Sequence, residues 1–148
     1  MLAHNREFAA LFPDGEPPAN SMRWMLLDRE AREVVLGDWA DSWAPVVMPQ
    51  LRHAVELHPQ NAALARLEDD VRRDPVAGPL YAVAAAAPIA YPDGTERPIN
   101  HALYGPGWVT TCVAEPVTSP GARVMLLIYT PGDSLASHSP APRKSLPS

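Results

Sequence analysis

The chain of 148 residues suits one domain with a substantial core, since a chain of this length buries roughly 70% of the surface that it exposes when unfolded. Its 12 Lys and Arg residues against 17 Asp and Glu residues give a net charge of −5, which excludes the basic surface that a nucleic-acid or anionic-membrane binding domain needs. A single cysteine excludes an internal disulfide and a cysteine-based zinc site.

Targeting signals do not appear near the start of the chain, where no basic segment precedes an apolar segment and a small-residue cleavage site. The longest apolar run, 80–90, is interrupted by Pro88 and is too short to span a bilayer. We therefore expect a cytoplasmic protein that does not insert into a membrane.

Helical periodicity dominates the first half of the chain. Asn5 is expected to cap a helix over 6–12, and Asn20 or Ser21 to cap a second helix in "MRWMLLD". A third short turn is predicted through "REAREVVL" before a glycine stops it. Each of these segments carries apolar residues at three- and four-residue spacing, which predicts one buried face per helix.

The most regular helical pattern begins at Asp38, which is expected to act as the N-cap. Apolar residues then recur to about Leu57, but Pro45 and Pro49 lie within the pattern. Each proline removes a backbone hydrogen bond from a helix interior. We therefore predict one helix that starts at Asp38, bends near Pro45 and continues to about Leu57.

A further helix is predicted from the Asn61 cap to Pro75, and the stretch 76–87 is ambiguous between a helix and a loop. From Pro88 onward, short apolar runs alternate with turn residues, which predicts four antiparallel strands in "PIAY", "RPINHALY", "WVTTCVAEPV" and "RVMLLIYT". Helices followed by strands indicate an α+β fold in which the helices cover one face of the sheet. We expect a domain over 1–133 and a disordered tail over 134–148.

Candidate chemistry is sparse. Trp39 and Trp43, one helical turn apart, could form the wall of a ligand pocket, although such a stripe more often packs in a core. The histidine spacing and the single cysteine suit no metal site, and no nucleophile or phosphate-binding motif occurs. Cys112, on the strand face of Trp108 and Thr110, is expected to be a small buried residue. These observations predict a protein without catalytic residues, metal or cofactor.

Taken in order, the segments resemble the ligand-binding domain of MmyB-like transcription regulators, a PAS-like sensor module. The resemblance rests on "NREFAALF", on the block "NSMRWMLLDREAREVVLGDW", on "QLRHAV", on "NHALYGPGW" and on "GARVMLLIYTPGDS", spread over most of 1–133. Tyr81 stands where the family usually has tryptophan, and Ala102 replaces the proline that usually follows His101.

The resemblance implies a PAS-like antiparallel sheet, a helix-turn-helix DNA-binding domain outside this chain, and a small apolar or fatty-acid-like ligand held between helices and sheet. Polar groups at the pocket mouth would orient the ligand, with Arg23 as a partner for a carboxylate. A homodimer is one expected assembly. The predicted ligand-binding residues are Asn20, Arg23, Trp39, Trp43, Val47, Tyr81, His101 and Tyr129.

Two other functions stay open at this point. The same pocket could belong to a small-molecule enzyme that uses His101 and a carboxylate as acid and base. The domain could also have lost its ligand and act only through protein contacts. The PAS-like arrangement further implies strands before the first helix, so "MLAH" is expected to be the end of a truncated strand. The last strand, about 123–129, would then have an unpaired apolar edge.

Overall fold

Helical elements precede the strands along the chain, as predicted, and the fold is α+β. The computed structural model describes residues 3–84, 87–88, 94–114, 117–118 and 124–132. In these residues the α-helices are α1 (Arg6–Ala9), α2 (Ser21–Leu27), α3 (Ala44–Leu57), α4 (Ala62–Arg73) and α5 (Ala77–Ala84). Two π-helical turns, Ala31–Val35 and Trp39–Trp43, lie between α2 and α3. The strands are β1 (Glu96–His101), β2 (Gly105–Ala114) and β3 (Val124–Pro131).

Asparagine side chains cap three helices at the predicted positions. The Oδ1 atoms of Asn5 and Asn20 accept hydrogen bonds from the backbone N–H groups three residues later, both at 2.9 Å. Asn61 caps α4 in the same way through the N–H of Leu64, at 3.3 Å. Such caps form because the first N–H groups of a helix lack partners within it. α1 ends at Ala9 and is shorter than predicted. The N–H of Phe12 donates to the carbonyl of Ala9 at 3.1 Å, in a turn that follows the helix.

The helix predicted from Asp38 to about Leu57 consists of two elements. Asp38 has a left-handed backbone (φ 46°) and its side chain makes no cap hydrogen bond, so the predicted side-chain cap is wrong. The backbone carbonyl of Asp38 instead accepts from the N–H of Ser42 at 2.8 Å and opens the second π turn. α3 begins after Trp43, which places Pro45 in the first turn, where a missing N–H costs nothing. The predicted end at Leu57 is confirmed.

The ambiguous stretch after Pro75 contains α5, which packs against α3 and α4. Gly78 permits this close approach, because a Cβ atom there would lie 2.6 Å from the carbonyl oxygen of Arg72. Asp74 positions the start of α5 by accepting hydrogen bonds from the N–H groups of Val76 and Ala77, at 2.9 and 2.7 Å. The three helices therefore form one continuous layer.

The sheet is antiparallel, in the order β1-β2-β3. The first predicted strand, 88–91, lies outside the described residues apart from Pro88, which is not in a strand. β1 ends at His101, and the turn that follows is 102–104. The Gly-Pro-Gly segment predicted as a turn begins β2 instead, where Gly105 pairs with His101.

The helices cover one face of this sheet, as predicted. Buried positions alternate along β1 and β2, so that Arg97, Ile99, Val109 and Thr111 face the helical layer. Cys112 lies on the opposite face with Trp108, as the alternation predicted. Cys112 is only half-buried, however, because no described helix covers that face, and the prediction of a buried cysteine is wrong.

β3 is an edge of the sheet and pairs with β2 alone among the described residues. The predicted apolar character of the last strand is observed over its described part, Val124–Pro131, whereas the predicted lack of pairing along its outer edge stays a prediction. Most of its large side chains are exposed, including Leu126 at 55% and Ile128 at 54%.

Candidate functional site

His101 is the buried polar residue at the end of β1, only 4% exposed. Its Nδ1 atom accepts hydrogen bonds from the backbone N–H groups of Leu103 at 3.0 Å and Tyr104 at 3.4 Å, which closes the turn between β1 and β2. Because Nδ1 accepts, the proton of the neutral imidazole resides on Nε2. Burial lowers the pKa of His101, which favours this neutral form.

Two tyrosine rings hold the imidazole in place. The ring centroid of His101 lies 4.7 Å from that of Tyr104 and 4.9 Å from that of Tyr129. The hydroxyl of Tyr129 donates to the carbonyl of Gly105 at 2.9 Å and so ties β3 to the start of β2. Tyr104 was not predicted as a site residue, because the sequence pattern places it in a strand and not in the turn that folds over His101.

A cleft of about 390 Å³ opens beside His101, and we call it the His101 cleft. Val34 and Val35 of the first π turn form one wall, and the turn after β1 forms the other. The lining is Pro13, Val34, Val35, Asn100, His101, Ala102 and Gly105.

The His101 cleft combines an apolar wall with the polar side chains of His101 and Asn100. No hydrogen bond to Nε2 of His101 is formed within the described part of the chain. Every fully buried side-chain nitrogen or oxygen among the described residues has a partner, so Nε2 must reach solvent. The cleft can therefore hold an apolar group and donate a hydrogen bond to an oxygen on it. π-helical turns also occur often at functional sites.

A second cleft, of about 430 Å³, lies at the start of α2, and we call it the Arg23 cleft. Its lining is Pro18, Ala19, Asn20, Arg23, Trp24, Leu27 and Asp28. Asn20 is occupied as the helix cap, and Nη1 of Arg23 lies 2.7 Å from a carboxylate oxygen of Asp70. A ligand carboxylate would have to compete with Asp70 for this guanidinium.

Trp39, Trp43 and Val47 lie in the core and line neither cleft. The indole N–H of Trp39 donates to the carbonyl of Met25 at 2.8 Å, and that of Trp43 to the carbonyl of Pro98 at 2.9 Å. Both indole donors are satisfied within the protein, so these side chains fasten the second π turn to α2 and to β1. Their role in ligand binding stays a prediction.

Tyr81, on α5, is buried and contacts α4. Its hydroxyl donates to a carboxylate oxygen of Glu68 at 2.8 Å, and the same oxygen accepts from Arg72 at 2.6 Å. The Arg72 guanidinium also lies 5.0 Å from the centre of the Tyr81 ring. Burial, together with the Glu68 carboxylate, raises the pKa of Tyr81. Tyr81 lines neither cleft, and its predicted ligand contact is likewise untested.

The eight predicted site residues therefore lie in three places. Asn20 and Arg23 belong to the Arg23 cleft, His101 and Tyr129 lie together at the His101 cleft, and the other four are in the core. Two pairs of predicted site residues are in contact beside a cleft: the Oδ1 of Asn20 accepts from the backbone N–H of Arg23 at 2.9 Å, and the ring centroids of His101 and Tyr129 lie 4.9 Å apart.

Arg97 is a buried polar residue that the sequence reading did not single out. It is 7% exposed, donates from Nε to the carbonyl of Ser42 at 3.2 Å and from Nη2 to the hydroxyl of Thr95 at 2.7 Å. Its guanidinium lies 5.9 Å from the centre of the Trp43 ring, and burial lowers its pKa. The available signal was its position two residues from Ile99, on the inner face of β1.

Among the described residues, no group of three His, Cys, Asp or Glu side chains is close enough to hold a metal ion. The described helices also include none with the length and apolar character needed to cross a membrane.

Comparison with known proteins yields one match. The sequence model of the family described as MmyB-like transcription regulator ligand binding domain matches residues 1–139. No curated protein and no solved structure matches the chain. Because the family match spans nearly all of the 148 residues, the chain belongs to the MmyB-like transcription regulator ligand binding domains.

Proposed function

We propose that this domain is the sensor of a transcription regulator and that the His101 cleft holds a small ligand with an apolar, fatty-acid-like body. The family match carries the proposal, since it identifies a regulator's ligand-binding domain. The cleft of about 390 Å³ is within the size range of small-molecule sites, roughly 300 to 1,000 Å³. Its walls are mostly apolar, and one neutral imidazole opens into it.

In this proposal the hydrocarbon part of the ligand packs against Val34, Val35 and Pro13. A carboxylate or carbonyl oxygen of the ligand accepts a hydrogen bond from the Nε2–H of His101. The imidazole is already oriented by its bonds to the turn after β1, so binding does not have to order it. The ligand would thereby connect the first π turn with the sheet, two parts of the molecule that a conformational signal could move relative to each other.

Sequence-specific DNA binding belongs, in this proposal, to a separate helix-turn-helix domain of the regulator. The net charge of −5 supports this assignment, because phosphate contacts dominate the affinity of DNA-binding domains. A gel-shift experiment at low salt tests it. We expect no sequence-specific complex with this chain, and a tight specific complex would contradict the assignment.

An enzymatic use of His101 finds less support in the geometry. A histidine that acts with a carboxylate usually donates Nδ1–H to it, whereas Nδ1 of His101 accepts from two backbone N–H groups. The other alternative, a domain that works only through protein contacts, predicts an empty cleft.

Native mass spectrometry after mild purification, followed by calorimetric titration with octanoate, laurate and palmitate, tests ligand binding. Val34 lines the cleft and is 54% exposed, so Val34→Trp should fill the space without disturbing the core. Val76, 53% exposed and outside both clefts, provides the matched control Val76→Trp.

We expect a co-purified lipid mass or saturable binding of at least one of these acids to the unmodified chain and to Val76→Trp. Val34→Trp should weaken that binding by on the order of tenfold or more, equivalent to about 1.4 kcal/mol. Absence of both a lipid mass and saturable binding would favour the protein-contact alternative. Equal affinity in both variants would contradict the location.

A further inference from the structure

The turn between β1 and β2, residues 102–104, is held closed by one imidazole. Nδ1 of His101 accepts hydrogen bonds from the backbone N–H groups of Leu103 at 3.0 Å and Tyr104 at 3.4 Å. Leu103 and Tyr104 are themselves 67% and 65% exposed, so burial in the core contributes little to holding the turn. The conformation of the turn therefore depends on whether Nδ1 of His101 can accept.

A further proton can bind the neutral imidazole of His101 only at Nδ1. Because Nδ1 accepts, the one proton of the neutral ring is on Nε2, and Nδ1 carries the remaining basic lone pair. In the imidazolium both ring nitrogens are donors, so Nδ1–H would face two backbone N–H donors at hydrogen-bond distance. The closed turn and the charged imidazole therefore exclude each other.

The strands and the turn around His101 supply no charge that would stabilise an imidazolium in the closed turn. β2 and β3 contain no charged residue over their described length. The titratable groups whose rings contact the imidazole are the phenols of Tyr104 and Tyr129. The Tyr129 hydroxyl makes its shortest contact, 2.9 Å, with the carbonyl of Gly105 and not with the imidazole.

Charged residues on the other elements near His101 are engaged elsewhere. Arg32 and Glu33 of the first π turn form ion pairs with Asp74 and Arg29. The charged residues of β1, at 96–97, lie at the opposite end of the strand. Burial lowers the pKa of His101, and no charged group of the described residues offsets this effect.

We propose that His101 is a pH-sensitive switch: the neutral imidazole holds the turn 102–104 closed, and a proton taken up from water at Nδ1 releases it. Ala102 and Gly105, at the two ends of this turn, line the His101 cleft, so release changes the wall that a ligand meets. Gly105 has a φ of 79°, a conformation that glycine leaves at little cost. The switch belongs to the chain without ligand and does not depend on which molecule the cleft holds.

Nitrogen-15 NMR of the full 148-residue chain, titrated from about pH 7.5 to about pH 5 across the ordinary range of histidine, tests the switch. The titration follows the ring nitrogens of His101 and the backbone amides of Leu103 and Tyr104. In His101→Asn the side-chain oxygen can still accept from the turn, as in an Asx turn, but does not titrate. His58→Asn is the matched control, since His58 is exposed and outside the turn. Circular dichroism shows whether each variant is folded.

We expect Nδ1 of His101 to be unprotonated at neutral pH. As it gains a proton, the amide resonances of Leu103 and Tyr104 should shift along a curve with the same midpoint, below about pH 6.5. His101→Asn should abolish this shift, and His58→Asn should leave its midpoint unchanged.

Four results would overturn the proposal. Nδ1 could carry a proton at neutral pH, or His101 could stay neutral down to about pH 5. The turn amides could remain unshifted while His101 titrates. Amides of α4, such as that of Leu67, could move with the same midpoint, which would indicate unfolding of the whole domain. If His101→Asn fails to fold, the comparison of midpoints in the unmodified chain still decides. These titrations contain no ligand, so their outcome is separate from that of the ligand-binding experiments.

Discussion

The Arg23 cleft and the His101 cleft are similar in size but present opposite electrostatic situations. Arg23 and Asp70, with side chains 52% and 40% exposed, already neutralise each other in contact with water. His101 is buried, uncharged and held by the backbone, and it lines a cleft whose walls are mostly apolar. An exposed ion pair contributes roughly 0 to 1 kcal/mol to the free energy of unfolding. A hydrogen-bond donor in a site of low dielectric interacts more strongly with its acceptor than the same donor in water. Burial therefore distinguishes the two clefts more than charge does.

The two clefts should differ most in how far a substitution of their polar residue lowers the free energy of unfolding. His101→Ala removes the acceptor of two backbone N–H groups and the contacts with two tyrosine rings, so the free energy of unfolding should fall by about 2 to 3 kcal/mol. Arg23→Ala should lower it by less than about 1 kcal/mol. Urea denaturation of both variants measures these changes. Equal losses in the two variants would remove the distinction that we draw.

The ion pair between Arg32 and Asp74 shows how burial changes the contribution of such a pair to stability when the charges are the same. Arg32 and Asp74 also meet at 2.8 Å, but their side chains are only 12% and 17% exposed. Burial acts to raise the pKa of Asp74, yet hydrogen bonds from Arg32 and from the N–H groups of Ala77 and Val76 outweigh it and leave the pKa lowered. Asp74→Ala should therefore cost about 2 kcal/mol in urea denaturation, because it also removes the cap of α5.

Asp70→Ala is the matched control for this pair, since Asp70 makes a contact of similar length in an exposed position. We expect it to cost less than about 1 kcal/mol. If Asp70→Ala proved as destabilising as Asp74→Ala, burial would not be the deciding variable.

As the pH is lowered, the stability that depends on neutral His101 should be lost before the stability that depends on the carboxylates. Burial holds the pKa of His101 below its ordinary value, so between the two values the unfolded chain binds a proton that the folded chain does not. Stability is then lost as the pH falls through about 6.5 toward the pKa of the folded state. The lowered pKa of Asp74 acts at lower pH, below about 4.

His101→Asn isolates this contribution, because its side-chain oxygen can still accept from the turn but does not titrate. Urea denaturation at about pH 7.5 and about pH 5.5 should show a smaller loss of stability in the variant than in the unmodified chain. An equal loss in both proteins would mean that His101 does not contribute to the pH dependence.

Arg23 should have the smallest effect, on ligand affinity. If the ligand occupies the His101 cleft, Arg23→Met should change the affinity for laurate by less than about twofold, because Arg23 does not line that cleft. A twofold change in affinity is well below the roughly 1.4 kcal/mol that corresponds to a tenfold change. Calorimetric titration measures this. A large loss of affinity in Arg23→Met would move the site to the Arg23 cleft.

Local features of this fold could be predicted from the sequence, and features set by packing could not. Asn5, Asn20 and Asn61 cap helices because capping depends on neighbouring residues alone. The left-handed backbone of Asp38 and the π turn after it form where the indole of Trp43 reaches across to β1, a contact between residues 55 apart in the sequence. No local pattern contains that information.

The candidate sites show the same division between local features, which could be predicted, and features set by packing, which could not. Alternation along β2 correctly grouped Cys112 with Trp108, but it could not tell which face the helices would cover. The separation of Arg23 from His101 likewise depends on α2 packing against α4, where Arg23 pairs with Asp70 across 47 positions of the chain. A resemblance to a family identified the class of domain, whereas the positions of the two clefts needed the three-dimensional arrangement.

The most direct test of the proposed ligand site is a nitrogen-15 NMR titration of the histidine side chains with laurate, in the unmodified chain and in Val34→Trp. If the His101 cleft is the site, the Nε2 resonance of His101 shifts saturably in the unmodified chain and stays unchanged in Val34→Trp. A saturable binding event that leaves His101 unperturbed, or that perturbs it equally in Val34→Trp, would contradict the account.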